Sequence, residues 1–248
     1  MRSRWNLLSQ VVMVVALLAV AADARAQDKS RLFLDFGFGI APSISGNVSS
    51  GAIGILQGQA AAFLPQTYGD VYGTGIDWRV GGGYTLDEKS EVRGMFTWQS
   101  GDADLVRLGD IGPSSLYAQY DDYKSFALDF GYRRYFQLSN KDVRLFGEGT
   151  MGVGIIDAIG VQFAAPQSNA VFPQSNYYDQ TAAFTIGFNV GALFKFSDRL
   201  DFTGQVGVRR VSGLQTVDQF VGTGLEAVSN DTGRLTFPIV LGVRYHFK

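Results

Sequence analysis

From Leu32 onward, large apolar residues alternate with small or charged ones at a period of two. Leu32, Leu34, Phe36, Phe38 and Ile40 stand against Phe33, Asp35, Gly37, Gly39 and Ala41. That period predicts a strand with two unlike faces rather than a helix. It returns from Ile76 to Leu86, where Trp78, Val80 and Tyr84 oppose Asp77, Arg79 and Gly81. It returns again from Val92 to Gln99, where Phe96 and Trp98 oppose Arg93 and Thr97. A fourth stretch sets Phe126, Leu128, Phe130 and Tyr132 against Asp129 and Arg133, and a fifth sets Val143, Leu145, Met151 and Val153 against Arg144 and Glu148. The sixth runs from Phe184 to Phe196 with Thr185, Asn189 and Lys195 opposite. The seventh sets Leu200, Phe202, Val206 and Val208 against Asp201, Gln205 and Arg209. The eighth sets Leu235, Phe237, Ile239, Leu241, Val243, Tyr245 and Phe247 against Arg234, Thr236, Arg244 and His246. Eight strands are predicted.

The connections carry a second rhythm. Short links rich in turn formers fall near Asp87 to Ser90, Ser139 to Lys141 and Ser197 to Arg199. They alternate with long ones, Ser43 to Gly73, Ser100 to Asp122, Gly160 to Asp179 and Ser212 to Gly233. Short turns on one side and long loops on the other are the layout of a transmembrane β-barrel with both termini periplasmic.

Charge decides which face points outward. The less apolar face carries Asp35, Asp77, Arg79, Arg93, Asp129, Arg133, Arg144, Glu148, Lys195, Asp201, Arg209 and Arg244, whereas the greasy face carries almost none. A dry soluble core does not hold that many charges singly. With the greasy face against lipid, charges of both signs converge inside and pair, and closure satisfies every backbone group. Eight strands leave a bore just wide enough for side chains to fill. A lumen charge network of Asp35, Asp77, Arg79, Arg93, Asp129, Arg133, Arg144, Glu148, Arg209 and Arg244 is therefore expected. Trp78, Tyr84, Trp98, Tyr132 and Tyr245 are candidates for the aromatic girdles at the two interfaces.

The first 26 residues read as a cleavable secretory signal, with Arg2 and Arg4, an apolar run from Val11 to Ala22 and an Ala24-Arg25-Ala26 cleavage site. Residues 27–248 are then the barrel domain. The whole chain has 31 Gly, 6 Pro and no Cys, which excludes zinc-cysteine sites, cysteine nucleophiles and iron-sulfur clusters. With 21 Lys+Arg against 23 Asp+Glu and no basic stripe, no nucleic-acid partner is expected.

The ending Leu241-Gly242-Val243-Arg244-Tyr245-His246-Phe247-Lys248 resembles the last strand of bacterial outer-membrane barrels, in which an aromatic-x-Phe pattern serves as the assembly signal. Tyr245 and Phe247 fit that pattern, and Lys248 departs from it by displacing Phe from the last position. With the leader and the strand rhythm, the chain resembles the OmpA/OmpX-type family of small outer-membrane β-barrels. The resemblance implies residence in a bacterial outer membrane, with lipid, lipopolysaccharide and the barrel assembly machinery as partners. Members have structural, adhesive, surface-interaction and small-solute roles, so no single role is selected.

Candidate chemistry is sparse. His246 is the single histidine and lies at the periplasmic end, with no serine or acid pairing that argues for catalysis. Gly147-Glu148-Gly149-Thr150-Met151-Gly152 has the spacing of a dinucleotide fingerprint but falls inside a strand, where no helix N-terminus exists to meet a phosphate. Asp102, Asp104, Asp121 and Asp122 read as solvated loop acids. No metal, cofactor or catalytic residue is assigned. The Pro-Gln-Ser-Asn repeat around Phe172, Tyr177 and Tyr178 reads as loop filler or a contact patch for an extracellular ligand. Gly51 to Leu64 is apolar enough for a short helix over the mouth, a dip into the outer leaflet or a partner contact. The reading is a non-enzymatic barrel serving envelope integrity or surface interaction through its loops. The alternative is a narrow channel for ions, small solutes or apolar molecules.

Overall fold

The computed structural model describes residues 31–56, 58–137, 142–217, 222–229 and 232–247. The leader reading on residues 1–26, the Ser139 to Lys141 turn and Lys248 lie outside them. The barrel wall is β1 (Leu32–Ser45), β2 (Thr74–Asp87), β3 (Ser90–Gly101), β4 (Tyr123–Gln137), β5 (Val143–Ile156), β6 (Thr181–Lys195), β7 (Leu200–Val211) and β8. β8 comes in two pieces, Arg234–Thr236 and Ile239–His246. The break falls at Phe237-Pro238 because Pro238 has no N–H to give. Its carbonyl still accepts from Gly207 N at 3.1 Å, and Phe237 N donates to Pro42 O at 2.9 Å. Each strand pairs antiparallel with the next, and β8 returns to β1 from Phe33↔His246 to Ile40↔Ile239. The wall has no free edge.

Period two becomes inside and outside. Phe36, Phe38, Val80, Leu128, Phe130, Val153, Phe188 and Leu241 are exposed on the outer wall, while Asp35, Asp77, Arg93, Asp129, Arg133 and Arg244 on the opposite face are buried. A soluble barrel would have the reverse order. Trp78 stands beside Phe38 and Trp98 toward one rim, and Tyr84, Tyr132 and Tyr245 lie toward the other, an arrangement suited to interfacial girdles. No helix among the described residues is long and apolar enough to cross a membrane; the crossing elements are the strands.

The long connections are folded, contrary to their reading as loops. They build a second sheet in the order Gln215–Thr216, Ser175–Asp179, Ile159–Ala165, Ser114–Tyr120, Leu105–Ile111, Gln59–Phe63 and Ala52–Leu56. Val48, Phe63, Leu108, Leu116, Val161, Phe163, Tyr177, Tyr178, Leu225 and Val228 form its core. Gly51 to Leu64 is a hairpin, not a helix. Ile53 and Ile55 alternate with Gly54 and Leu56 at period two, and Gly58 takes a positive φ of 80° at the tip. The helix comes next instead: α1 (Tyr68–Tyr72) starts at a capping box in which Thr67 Oγ1 accepts from Asp70 N at 3.1 Å and Asp70 Oδ2 accepts from Thr67 N at 2.9 Å. The segment around Phe172, Tyr177 and Tyr178, read as loop filler or a contact patch, is also corrected. Both tyrosines are fully buried, because a register shift beside Ile159 and Gly160 turns two consecutive side chains inward.

Candidate functional site

Six charged side chains from five strands close a ring across the lumen. Asp35 of β1 meets Arg93 of β3 at 3.2 Å, and Arg93 meets Glu148 of β5 at 2.9 Å. Glu148 meets Arg133 of β4 at 2.7 Å, Arg133 meets Glu91 of β3 at 3.5 Å, and Glu91 meets Arg244 of β8 at 2.7 Å. Arg244 returns to Asp35 at 2.8 Å. Arg244 grips both carboxylates with two bonds each, to Asp35 at 2.8 and 3.0 Å and to Glu91 at 2.7 and 2.8 Å. Such fork-to-fork geometry fixes direction as well as energy. Nearer the end that carries the folded long connections, Asp77 holds Arg79 at 2.7 Å and Gln99 at 2.8 Å, and Asp129 holds Arg209 at 2.5 Å, Thr97 at 2.9 Å and Thr185 at 2.6 Å. Every carboxylate in the ring and in these two pairs has at least two partners.

Aromatic rings close the end of the barrel where Phe33 pairs with His246. The Arg244 guanidinium lies 3.6 Å from the centroid of Phe33, and that of Arg133 lies 3.7 Å from the centroid of Phe146. The rings have room because glycines face them. A Cβ on Gly83 would come within 2.4 Å of Phe33 Cζ, and one on Gly191 within 2.6 Å of Phe146 Cζ. Between the ring of charges and the upper pairs, a void of about 10 Å³ bordered by Arg79, Arg93, Asp129 and Glu148 has room for about one water molecule.

No family model matches the chain, and no curated protein matches it. Among solved structures, neisserial surface protein A aligns over 89% of this chain and 100% of its own, at 10% identity and a TM-score of 0.51. The fold is that of the small eight-stranded outer-membrane barrels. OprG from Pseudomonas aeruginosa aligns over 88% and 98% of the two chains at 12% identity and a TM-score of 0.45. Ail of Yersinia pestis aligns over 89% and 100% at 11% and 0.39.

Of the residues singled out in the sequence, this outer-membrane barrel brings Asp35, Arg93, Arg133, Glu148 and Arg244 into the ring, and Asp77, Arg79, Asp129 and Arg209 into the two upper pairs. Arg144 stands apart: it is about one-third exposed, 3.9 Å from Asp201 and over the Tyr135 ring at 4.4 Å. Lys195 is exposed and meets Asp198 at 3.1 Å. Glu91 was missed, although it continues the inward series two residues before Arg93. Asn189 and Gln205, which reach Glu148 and Arg133 at 3.4 and 3.2 Å, carried no sequence signal beyond their face. His246 Nε2 lies 2.7 Å from Asp201 Oδ2 at the rim opposite the folded long connections. Asp121 accepts from Gly160 N at 2.9 Å and Gln174 Nε2 at 3.0 Å, and Asp122 accepts from Ala103 N at 3.3 Å. Among the described residues no three His, Asp or Glu side chains gather to hold a metal.

The mouth beneath the folded long connections is closed by tyrosines. Tyr68 and Tyr72 of α1 and Tyr123 at the start of β4 are buried with ring centroids 5.8 to 6.2 Å apart. The Tyr72 hydroxyl donates to Asp121 O at 3.3 Å. Deeper in the cap, Tyr177 donates to Val228 O at 3.0 Å and Tyr178 to Val48 O. Burial pushes the phenols of Tyr72, Tyr120 and Tyr177 above their ordinary range.

Proposed function

We propose that this protein is a non-enzymatic barrel of the bacterial outer membrane, closed to solutes, that acts through the rigid extracellular cap it carries. The observation that carries this reading is the cap core. A barrel needed only to fill the membrane can turn at its outer rim with short loops, whereas this chain commits four long connections to one packed sheet around Tyr177 and Tyr178. Binding residues concentrate on loops held by a rigid scaffold. The lumen ring supports the closed state, because a conducting bore needs a continuous water path past Arg93, Arg133 and Arg244. On this reading both termini lie in the periplasm, the aromatic pair Tyr245 and Phe247 serves recognition by the barrel assembly machinery, and the outer wall meets lipid and lipopolysaccharide.

The test compares cells lacking the protein with cells carrying wild type or Tyr178→Ala, which opens a cavity in the cap and leaves the wall untouched. Binding of whole cells to immobilised glycans and matrix proteins is expected to need the intact cap, while uptake of small solutes is unchanged across the three strains. Solute uptake that follows the protein, with surface binding indifferent to the cap, would contradict the reading and favour a narrow channel.

A further inference from the structure

Arg234 opens β8 at the mouth beneath the folded long connections and is 1% exposed. Its Nε donates to Ser43 Oγ at 3.0 Å, but Nη1 and Nη2 have no hydrogen-bond partner. The other buried arginines among the described residues, Arg79, Arg93, Arg133, Arg209 and Arg244, each meet a carboxylate at 2.5 to 2.9 Å. Arg234 meets none among the described residues. Its guanidinium sits over the Tyr123 ring, 4.1 Å from the centroid, and 5.8 Å from that of Tyr68. Tyr123 is itself fully buried, and its hydroxyl also has no hydrogen-bond partner.

An aromatic face compensates a cation in part and offers no lone pair to an N–H. A buried guanidinium left so is strongly disfavoured and takes a counter-ion where one fits. The two guanidinium NH2 groups and one phenol O–H supply donors, and no carboxylate of the described residues is bonded to them. Donors without an acceptor describe an anion site. Tyr68, Tyr72 and Tyr123 shut it from solvent, which restricts the occupant to a small ion. We propose that Arg234 and Tyr123 bind a small monovalent anion of the halide class, chloride above all, at the junction of β8, β4 and α1. The ion joins two wall strands to the helix that closes the mouth, so the cap's seating on the barrel becomes halide-dependent. The competing occupant is a neutral water.

Bromide separates the two. Crystals of the full chain soaked in bromide are expected to show an anomalous peak within hydrogen-bond reach of the Arg234 Nη atoms and the Tyr123 hydroxyl; a water there, or no density, overturns the proposal. In solution, urea unfolding of the lipid-reconstituted protein is followed as chloride replaces gluconate at constant ionic strength. Once the site is saturated, each tenfold rise in chloride raises the folded-to-unfolded ratio about tenfold. Tyr123→Phe keeps the ring and weakens that dependence, and Arg234→Met abolishes it, each variant being compared with itself in the two salts. A wild-type protein equally stable in chloride and gluconate overturns the proposal without reference to any variant.

Discussion

At Glu148 one carboxylate serves two guanidiniums, Arg93 at 2.9 Å and Arg133 at 2.7 Å, and all three side chains are buried. Removing one partner from such a set leaves the others charged and desolvated, a cost of about 3–5 kcal/mol. Glu148→Gln is therefore expected to lower stability by that order in urea unfolding of the reconstituted barrel. Arg107→Gln, which removes the half-exposed pair with Asp110, is expected to cost under about 1 kcal/mol by the same measurement. Packing gives a parallel contrast. Gly83→Ala forces a Cβ against Phe33 and the Val92 carbonyl and should cost about 1–3 kcal/mol, while Gly94→Ala meets nothing within 4 Å and should be near neutral. At this scale the charges were legible from their inward parity, since a charge on an alternating strand whose other face meets lipid has only the lumen to enter. Their pairings were not: which acid meets which arginine depends on strand stagger, and Glu91 was lost because it sits beside the turn. Arg144 has the right parity but lies too near the short-turn end of the barrel to leave water.

The wall strands were readable as elements because each repeats one rule for a dozen residues. The cap strands are short, several are two to five residues long, and their burial is set by neighbours distant in sequence, as when Tyr178 reaches Val48. Local pattern carries little of that information. Tyr178→Ala is expected to cost the cap about 3–5 kcal/mol while the barrel keeps its heat-modifiable gel mobility, with the loss read as new protease sites in the cap. The tyrosines also give the cap a pH limit. Their folded-state values are raised by burial above the unfolded value of about 10, so the stability they lend is whole below that pH and falls as pH climbs toward the raised values. Tyrosinate absorbance from the folded protein should appear at higher pH than in the urea-unfolded chain, together with protease sensitivity of the cap. Coincident titration in the two states would remove burial as the cause.

Taken whole, the molecule is a lipid-facing cylinder with three successive closures: aromatic rings over glycines at the short-turn end, an alternating ring of charge in the middle, and tyrosines with a folded cap at the mouth. Eight strands already imply a filled bore, and the cap adds a surface that the strand count alone does not require. A lumen closed in this way is expected not to conduct ions. Single-channel recording of the refolded protein in planar bilayers, with insertion verified by heat-modifiable mobility, tests it most directly. Electrical silence is predicted for the wild type; steady, resolvable openings whose conductance changes in Glu148→Gln and Arg93→Gln would contradict it.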